Sequence, residues 1–482
     1  MMMLLKPVFL STDLLIYLLL AGVAFYGWRA RRHEHLVAPW RRLVRSRSGV
    51  ASAVILLAFV TVGLLDSVHF RLPLESHGQP NGSASQNGGA ADTARFYSPE
   101  VLSLFDLLAG RLRTQMEKTY SAPFSTHLYT KETIELPGGR QAREYPRLKF
   151  GGAHLADPER DRGRDVLAIT VQALAAGAGL WLLASVGFAW RLARRRGISR
   201  RQGWMLLWSG RDEIPWRTLL FTLGTVILLT CVATALSTKY HIFGTDKVGQ
   251  DVFYLSLKSI RTGLTIGTLT TLVMLPFALL LGIMAGYFRG WVDDVIQYLY
   301  TTLNSIPGVL LIAAAVLILQ VYMESNPDLF DTVAARADTR LLFLCIILGI
   351  TSWTGLCRLL RGETLKLREM DFIQAATAFG VGHFRIIARH ILPNVMHIVL
   401  ISIVLDFSSL VLAEAVLSYV GVGVDPTMQS WGNMINGARL EMAREPMVWW
   451  SLAAAFLFMF VLVLSANLFS DRVRDAFDPR MN

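Results

Sequence analysis

Residues Asp371 to Pro393 read DFIQAATAFGVGHFRIIARHILP. The stretch lies between two long apolar segments and is too polar to cross a bilayer itself. Phe372, Ala375, Ala376 and Phe379 recur at i, i+3, i+4 and i+7, the spacing of one helical face. Gly380 and Gly382 then permit a sharp turn. Phe384, Ile387, Ala388 and Ile391 repeat the spacing, with Arg385 and Arg389 one turn apart on the opposite side. Pro393 restricts the residue before it and starts a new direction. Two short amphipathic helices joined at glycine are expected at a membrane surface. Such a hairpin suits docking into a groove on another protein.

The rest of the chain supplies the membrane. Of 482 residues, 53% are hydrophobic and only 17% are charged. That balance belongs to a multi-pass all-α protein. The formal net charge is +11, but the arginines cluster beside apolar segments. They read as orientation signals, and nucleic acid is not an expected partner. Cys231, Cys345 and Cys357 sit in or at the edge of apolar segments, with no metal spacing and no disulfide framework. No cofactor motif is found.

About nine transmembrane helices are expected. Val8 to Trp28 is the first, followed by Arg29, Arg31, Arg32, Arg41, Arg42, Arg45 and Arg47, which places the N-terminus outside. Val50 to Phe70 crosses back. The aqueous segment that follows opens with Gly78 to Ala94, rich in Gly, Ser, Asn and Ala, which reads as a flexible linker. Ser98-Pro99-Glu100 has the pattern of a helix start, with Leu102, Phe105, Leu108 and Leu112 as the apolar face. Thr130 to Leu136 fits a strand closed by Pro137-Gly138-Gly139, and His127 and His154 read as loop residues. Val166 to Trp190 is the third span, and the basic run from Arg191 to Arg201 behind it repeats the orientation signal. Thr218 to Leu236, Gly263 to Tyr287, Val295 to Tyr322, Leu341 to Arg358, Val395 to Val420 and Met447 to Phe469 complete the set, with the C-terminus inside. Pro307 is expected to kink the sixth. The chain thus divides into two extra spans (1–70), an extracytoplasmic insertion (71–164), a third extra span with a basic loop (165–204) and a C-terminal unit (205–482).

Several of these stretches resemble the inner-membrane permease subunits of ABC importers. Their signature loop reads Glu-Ala-Ala, three residues, Gly, nine residues, Ile, one residue, Leu-Pro. Here the matching positions are Gln374-Ala375-Ala376, Gly380, His390 and Leu392-Pro393, with Gln374 and His390 as departures. Gly244-Thr245-Asp246-Lys247-Val248-Gly249-Gln250-Asp251 is similar to an outer motif of the peptide, dipeptide and nickel branch, with Gln250 in place of Arg. Its glycines permit tight turns, and Asp246 and Asp251 can cap a short helix after it. Gly421 to Gly437, GVGVDPTMQSWGNMING, and the tail DRVRDAFDP resemble the same branch. The resemblance starts near Trp216 and leaves the residues before about 205 uncovered.

It implies a C-terminal six-helix permease core forming half of a translocation pathway, with transport as the role of the subunit. Implied partners are a second permease, ATP-binding subunits, an extracytoplasmic substrate-binding protein, a peptide or small-solute substrate, and membrane lipid. The implied setting is the bacterial inner membrane. The chain has no Gly-x-x-x-x-Gly-Lys-Ser/Thr loop, so ATP hydrolysis would fall to a partner and the chain would not itself be an enzyme. Nickel or another small solute is the alternative cargo. An ion-coupled carrier or a membrane enzyme is the alternative class, but no internal repeat, His-Glu-x-x-His or Gly-x-Ser-x-Gly supports either. Asp406 and Glu414 lie in one apolar span, eight residues apart. Ionisable residues at such depth face a cavity or a partner. Asp406 is the pathway candidate, whereas Glu414 reads better as structural.

Overall fold

The computed structural model describes residues 6–32, 34–73, 97–136, 140–210, 212–327 and 332–477. The Gly78 to Ala94 linker, the Pro137-Gly138-Gly139 turn and the end of the tail lie outside the described residues. Among the described residues, nine helices are long and apolar enough to span a membrane. They are Ser11–Arg29, Arg47–Asp66, Pro158–Arg196, Trp216–Ser237, Val252–Phe288, Gly308–Ser325, Val333–Arg368, His383–Tyr419 and Trp450–Phe477. They are called the first to the ninth span below.

The fifth span organises the others. Its 37 residues extend over about 55 Å at 1.5 Å per residue. Buried side chains lie along its length, among them Ile260, Ile266, Leu269, Met274, Ala278 and Ala285. Small residues set how closely the seventh span approaches, as in membrane packing generally. A Cβ on Gly282 would lie 2.9 Å from the Cys357 carbonyl oxygen, and one on Gly286 2.7 Å from that of Arg361. Met274, Ala278 and Ile283 of the fifth span share one core with Trp353, Leu356 and Leu360 of the seventh and Val395 and Val399 of the eighth. A second core joins Ile266 and Leu269 to Leu341, Leu344 and Leu348 of the seventh span and Ile312 and Val316 of the sixth. In a third, Phe59 of the second span meets Ile260, Val411, Trp431 and Leu462. The second span therefore packs with the fifth, eighth and ninth.

The third and fourth spans pair at one side. The Trp181 indole donates to the Leu220 carbonyl at 2.8 Å, and Gly224 leaves room for that ring. Outside the spans, the insertion is small. Lys6–Val8, His69–Arg71 and Leu102–Ser103 form a three-stranded antiparallel sheet. Glu132–Leu136 pairs antiparallel with Arg140–Glu144, matching the strand read from the sequence.

Four local expectations fail. Val295 to Tyr322 is not one kinked span: Trp291–Ser305 and Gly308–Ser325 are separate helices. Ile306 is extended at the break, as the residue before a proline prefers. The helix expected from Ser98 begins later, because Leu102–Ser103 is drawn into the sheet by His69 and Phe70. Ser103 is then the cap, forming a capping box with Asp106, and Leu108 of the expected apolar face is exposed. The ninth helix starts at Trp450 rather than Met447 and runs to Phe477. The seventh starts early, at Val333, capped by the Thr332 hydroxyl.

Candidate functional site

The stretch from Asp371 to Pro393 forms a short helix, Asp371–Ala378, a glycine turn, and the start of the eighth span. The helix closes in a Schellman arrangement. The Val381 amide donates to the Ala376 carbonyl at 3.1 Å, and that of Gly380 to Thr377 at 3.0 Å. Gly380 has φ +74°, a conformation costly for any residue with a Cβ. Pro393 does not start a new direction. One turn, Ile387–Ile391, is wound as a π-helix, and the helix continues through Leu392 and Pro393. A widened turn is a usual way to absorb irregularity inside a long helix.

The apolar residues of this hairpin divide between two surfaces. Ile373, at 1% exposure, is buried with Ile386 and Ile391 in the core shared by the fifth, seventh and eighth spans. Ala376, Ile387 and Leu392 pack partly against it. The phenylalanines point away: Phe372 is 43% exposed, Phe379 87% and Phe384 84%. Gln374, Ala375, Arg385 and Arg389 are exposed with them. Gln374, which replaces an acid, donates from Nε2 to the Glu369 carbonyl at 3.1 Å. His390 stands with its ring 6.1 Å from that of Phe372, so both arms of the hairpin meet there. Two further contacts, from the end of the fifth span and the residue after it, brace the hairpin and the residue pair that leads into it. The Tyr287 hydroxyl lies 2.8 Å from His383 Nδ1, and Arg289 pairs with Glu369. Nearby, Asp293 binds Arg361 through both oxygens at 2.6 and 2.7 Å, which holds its carboxyl below the usual range. The result is an exposed aromatic pair on a braced support.

At the opposite end, the outer motif is clamped by the insertion. Gly244 and Gly249 have φ +64° and +78°, and neither has room for a Cβ, which would fall 2.2 Å from the Ser121 oxygen and 1.9 Å from that of Glu117. Thr245 Oγ1 accepts from the Ser121 amide at 2.7 Å and donates to the Thr119 carbonyl at 2.8 Å. Asp251 caps the fifth span through the Phe253 and Tyr254 amides. Asp246 caps no helix: it accepts from the Val248 and Gln250 amides and folds the turn itself. The helix after the motif is long rather than short.

Behind the turn, His241 Nδ1 lies 2.6 Å from Asp251 and Nε2 3.5 Å from Glu117, an ion-pair contact without a well-formed hydrogen bond. Glu117 also accepts from the amides of Lys149, Phe150 and Gly151. Burial opposes the charge on His241, but Asp251 and Glu117 outweigh it and push the imidazole up to about 9. Burial likewise opposes the Glu117 carboxylate, yet His241 and the three amides bring it down to about 2.

A buried charge network was missed in the sequence. Arg261 of the fifth span reaches Asp13 of the first at 2.7 Å and Asp338 of the seventh at 3.7 Å. The second oxygen of Asp13 lies 2.7 Å from His69. One turn earlier, Lys258 binds both oxygens of Asp106 at 2.6 and 2.7 Å and approaches Asp66 at 3.9 Å. Placing the start of the fifth span at Gly263 left Lys258 and Arg261 outside it, beside the short helix expected after the outer motif. Charges three apart ahead of an apolar run were the available signal.

Asp406 and Glu414 separate as their surroundings dictate. Glu414 is buried, accepts from the Ser418 hydroxyl at 2.7 Å and lies against Gly432 of the outer loop. Asp406 is half-buried, and among the described residues its carboxylate has no hydrogen-bond or ion-pair partner.

Residues 278–482 match the model of the family described as binding-protein-dependent transport system inner membrane component. The glutathione transport system permease protein GsiD of Pectobacterium atrosepticum is 32% identical over 243 residues, 50% of this chain and 73% of that protein. The dipeptide transport system permease protein DppC of Alkalihalophilus pseudofirmus is 34% identical over 241 residues, 50% of this chain and 72% of that protein. The oligopeptide transport system permease protein OppC of Mycobacterium bovis is 32% identical over 239 residues, covering 50% and 76%. A chain of the MetNI methionine ABC transporter aligns with a TM-score of 0.37 at 15% identity, over 47% of this chain and 97% of its own length. The chain therefore belongs to the family of binding-protein-dependent transport system inner membrane components, the multi-pass permease subunits of ABC importers.

Proposed function

We propose that this chain is one permease of a peptide importer and forms half of a pathway completed by a second permease. Separate ATP-binding subunits dock on the hairpin at Asp371 to Pro393, and a substrate-binding protein delivers cargo at the outer motif. Oligopeptides or dipeptides are the cargo, as the names of its relatives suggest. The N-terminus lies outside and the C-terminus in the cytoplasm, so the hairpin faces the compartment that holds ATP.

The observation that carries this reading is the pair Phe379 and Phe384, almost fully exposed on a hairpin whose other face is buried. Exposed aromatics rimmed by polar groups mark a protein–protein contact. Ile373, Ile386 and Ile391 transmit a push on that pair to the fifth, seventh and eighth spans, because they share one core. Packed cores move as units rather than deforming continuously.

Gly380 gives the test. Nothing lies within 4 Å of a Cβ built there, so a substitution meets only the backbone strain of φ +74°, about 1–2 kcal/mol. Gly380→Asn, which tolerates that conformation, should retain ATPase co-purification and peptide uptake in a strain lacking the native permease. Gly380→Val should stay in the membrane and lose both. Normal uptake with Gly380→Val would remove the coupling assignment.

A further inference from the structure

The third span is 39 residues long, about 58 Å at 1.5 Å per residue and well beyond a hydrocarbon core of about 30 Å. It packs through one face only, burying Ile169, Ala173, Gly177, Ser185, Ala189 and Ala193. The other face is apolar and exposed, with Leu167, Val171, Leu180, Leu183 and Val186 along it. Toward its C-terminal end that face carries a shallow, open depression between side chains of this one helix, formed by Ala184, Gly187, Phe188, Trp190, Arg191, Arg194 and Arg195. Ala184 and Gly187 leave its floor low, and a Cβ on Gly187 would meet nothing within 4 Å. Arg194 lies over the Trp190 ring at 5.6 Å.

Arg191 and, one turn on, the adjacent pair Arg194 and Arg195 lie on one side of the helix, where like charges repel. Among the described residues none of them has a carboxylate partner. Asp212 is engaged by the neighbouring Arg196 at 2.8 Å. The groove therefore joins a low apolar floor to a triple positive charge without a carboxylate partner among the described residues, with Trp190 beside it.

We propose that this groove binds an anionic membrane lipid, its phosphate headgroup held by Arg191, Arg194 and Arg195 and an acyl chain lying over Ala184 and Gly187. A phosphate presents acceptor oxygens to guanidinium forks. A free phosphate would satisfy the arginines but leave the trough unfilled. Arginines that served only to orient the span would need neither the trough nor the ring.

The test uses the full chain, delipidated in mild detergent and mixed with phosphatidylglycerol or phosphatidylcholine, with retained lipid counted by native mass spectrometry. Phosphatidylglycerol should be retained over phosphatidylcholine. Arg191→Gln/Arg194→Gln/Arg195→Gln should weaken retention by about a hundredfold, the effect of three basic residues at an anionic surface. Gly187→Leu keeps every charge and should also lower retention by filling the trough, which separates lipid binding from loss of folding or of charge. Equal retention of the two lipids, or undiminished retention in both variants, overturns the proposal. Displacement of the lipid by inorganic phosphate as effectively as by short-chain phosphatidylglycerol also overturns it, since the site would then be a free-anion site.

Discussion

Arg261→Met removes the cation that ties the first span to the core while nearly preserving side-chain length. Arg261 sits 2.7 Å from Asp13 and 3.7 Å from Asp338, with the Thr12 hydroxyl at 3.2 Å. At an effective dielectric of 20 those pairs attract by about 6 and 4.5 kcal/mol. Most of that is offset by the cost of withdrawing three charges from water. The substitution therefore costs more than the network contributes in net terms. Two buried carboxylates lose their cation, and the expected loss of stability is about 3–5 kcal/mol.

Removing all three charges, in Asp13→Asn/Arg261→Met/Asp338→Asn, should recover most of that loss, because no uncompensated charge then remains. The assay is the denaturation midpoint of the purified chain in mild detergent. Protease cleavage between the first and second spans gives a local readout of whether the first span has come loose. If Arg261→Met unfolds at the wild-type midpoint, the network is not a tie. If the triple variant is no more stable than the single one, electrostatics is not its basis.

Four other perturbations address the remaining sites. His241 is raised to about 9, above its ordinary 6.5, so its charge stabilises the outer motif fully below pH 6.5 and ceases to do so as pH rises through 9. Glu117, lowered to about 2 from 4.5, contributes above pH 4.5 and loses its contribution as pH falls through 2. His241→Gln should flatten the alkaline limb of a melting-temperature profile, and an unchanged limb would show that another group sets it. Phe379→Ala/Phe384→Ala should leave stability unaltered but weaken ATPase co-purification, since burying one phenylalanine is worth about 1.5–3 kcal/mol. Ile373→Ala should instead destabilise the hairpin by about 2–5 kcal/mol, and equal effects of the two variants on melting would mean the faces are wrongly assigned. Asp406→Asn should alter uptake or substrate range at normal expression; transport indistinguishable from wild type would exclude a pathway role.

The hairpin was legible in the sequence because its apolar residues keep a helical period and a glycine separates its halves. Its orientation was not legible. Phe372 and Ile373 are neighbours on a helix of only eight residues, and a period defines faces without saying which one the rest of the chain covers. The choice of Ile373 comes from Leu360, Val395 and Ile283, all distant in sequence. Glu414 could be read as structural from its place near the end of the span and its Leu-Ala-Glu-Ala setting, and the partner it has, Ser418, is one turn away. Asp13 and Arg261 could not be paired in advance, since 248 residues separate them and neither carries a local sign of the other. The cap at Ser103 was displaced for a similar reason: a strand partner at His69 competed with the local signal at Ser98.

The added N-terminal spans leave one side of the core uncovered, and the position of Asp406 follows from that. The first span meets the seventh through Asp338, the second lies against the fifth and ninth and against Val411 of the eighth, and the short helix Glu34–Arg45 reaches the C-terminal end of the ninth through Leu43. On the eighth span, Leu405, Leu412 and Val416 remain exposed along one stripe, with Ser409 between them. Leu310, Leu317, Ile318 and Val321 form a comparable stripe on the sixth. Both surfaces are compatible with lipid, but a carboxylate beside one of them is not, because a charge facing hydrocarbon is costly. Asp406, next to Leu405 and without a partner among the described residues, is accounted for if this side faces the second permease and the aqueous path between the two. The extra spans, tied to the other flank, would then add to the subunit without closing its pathway.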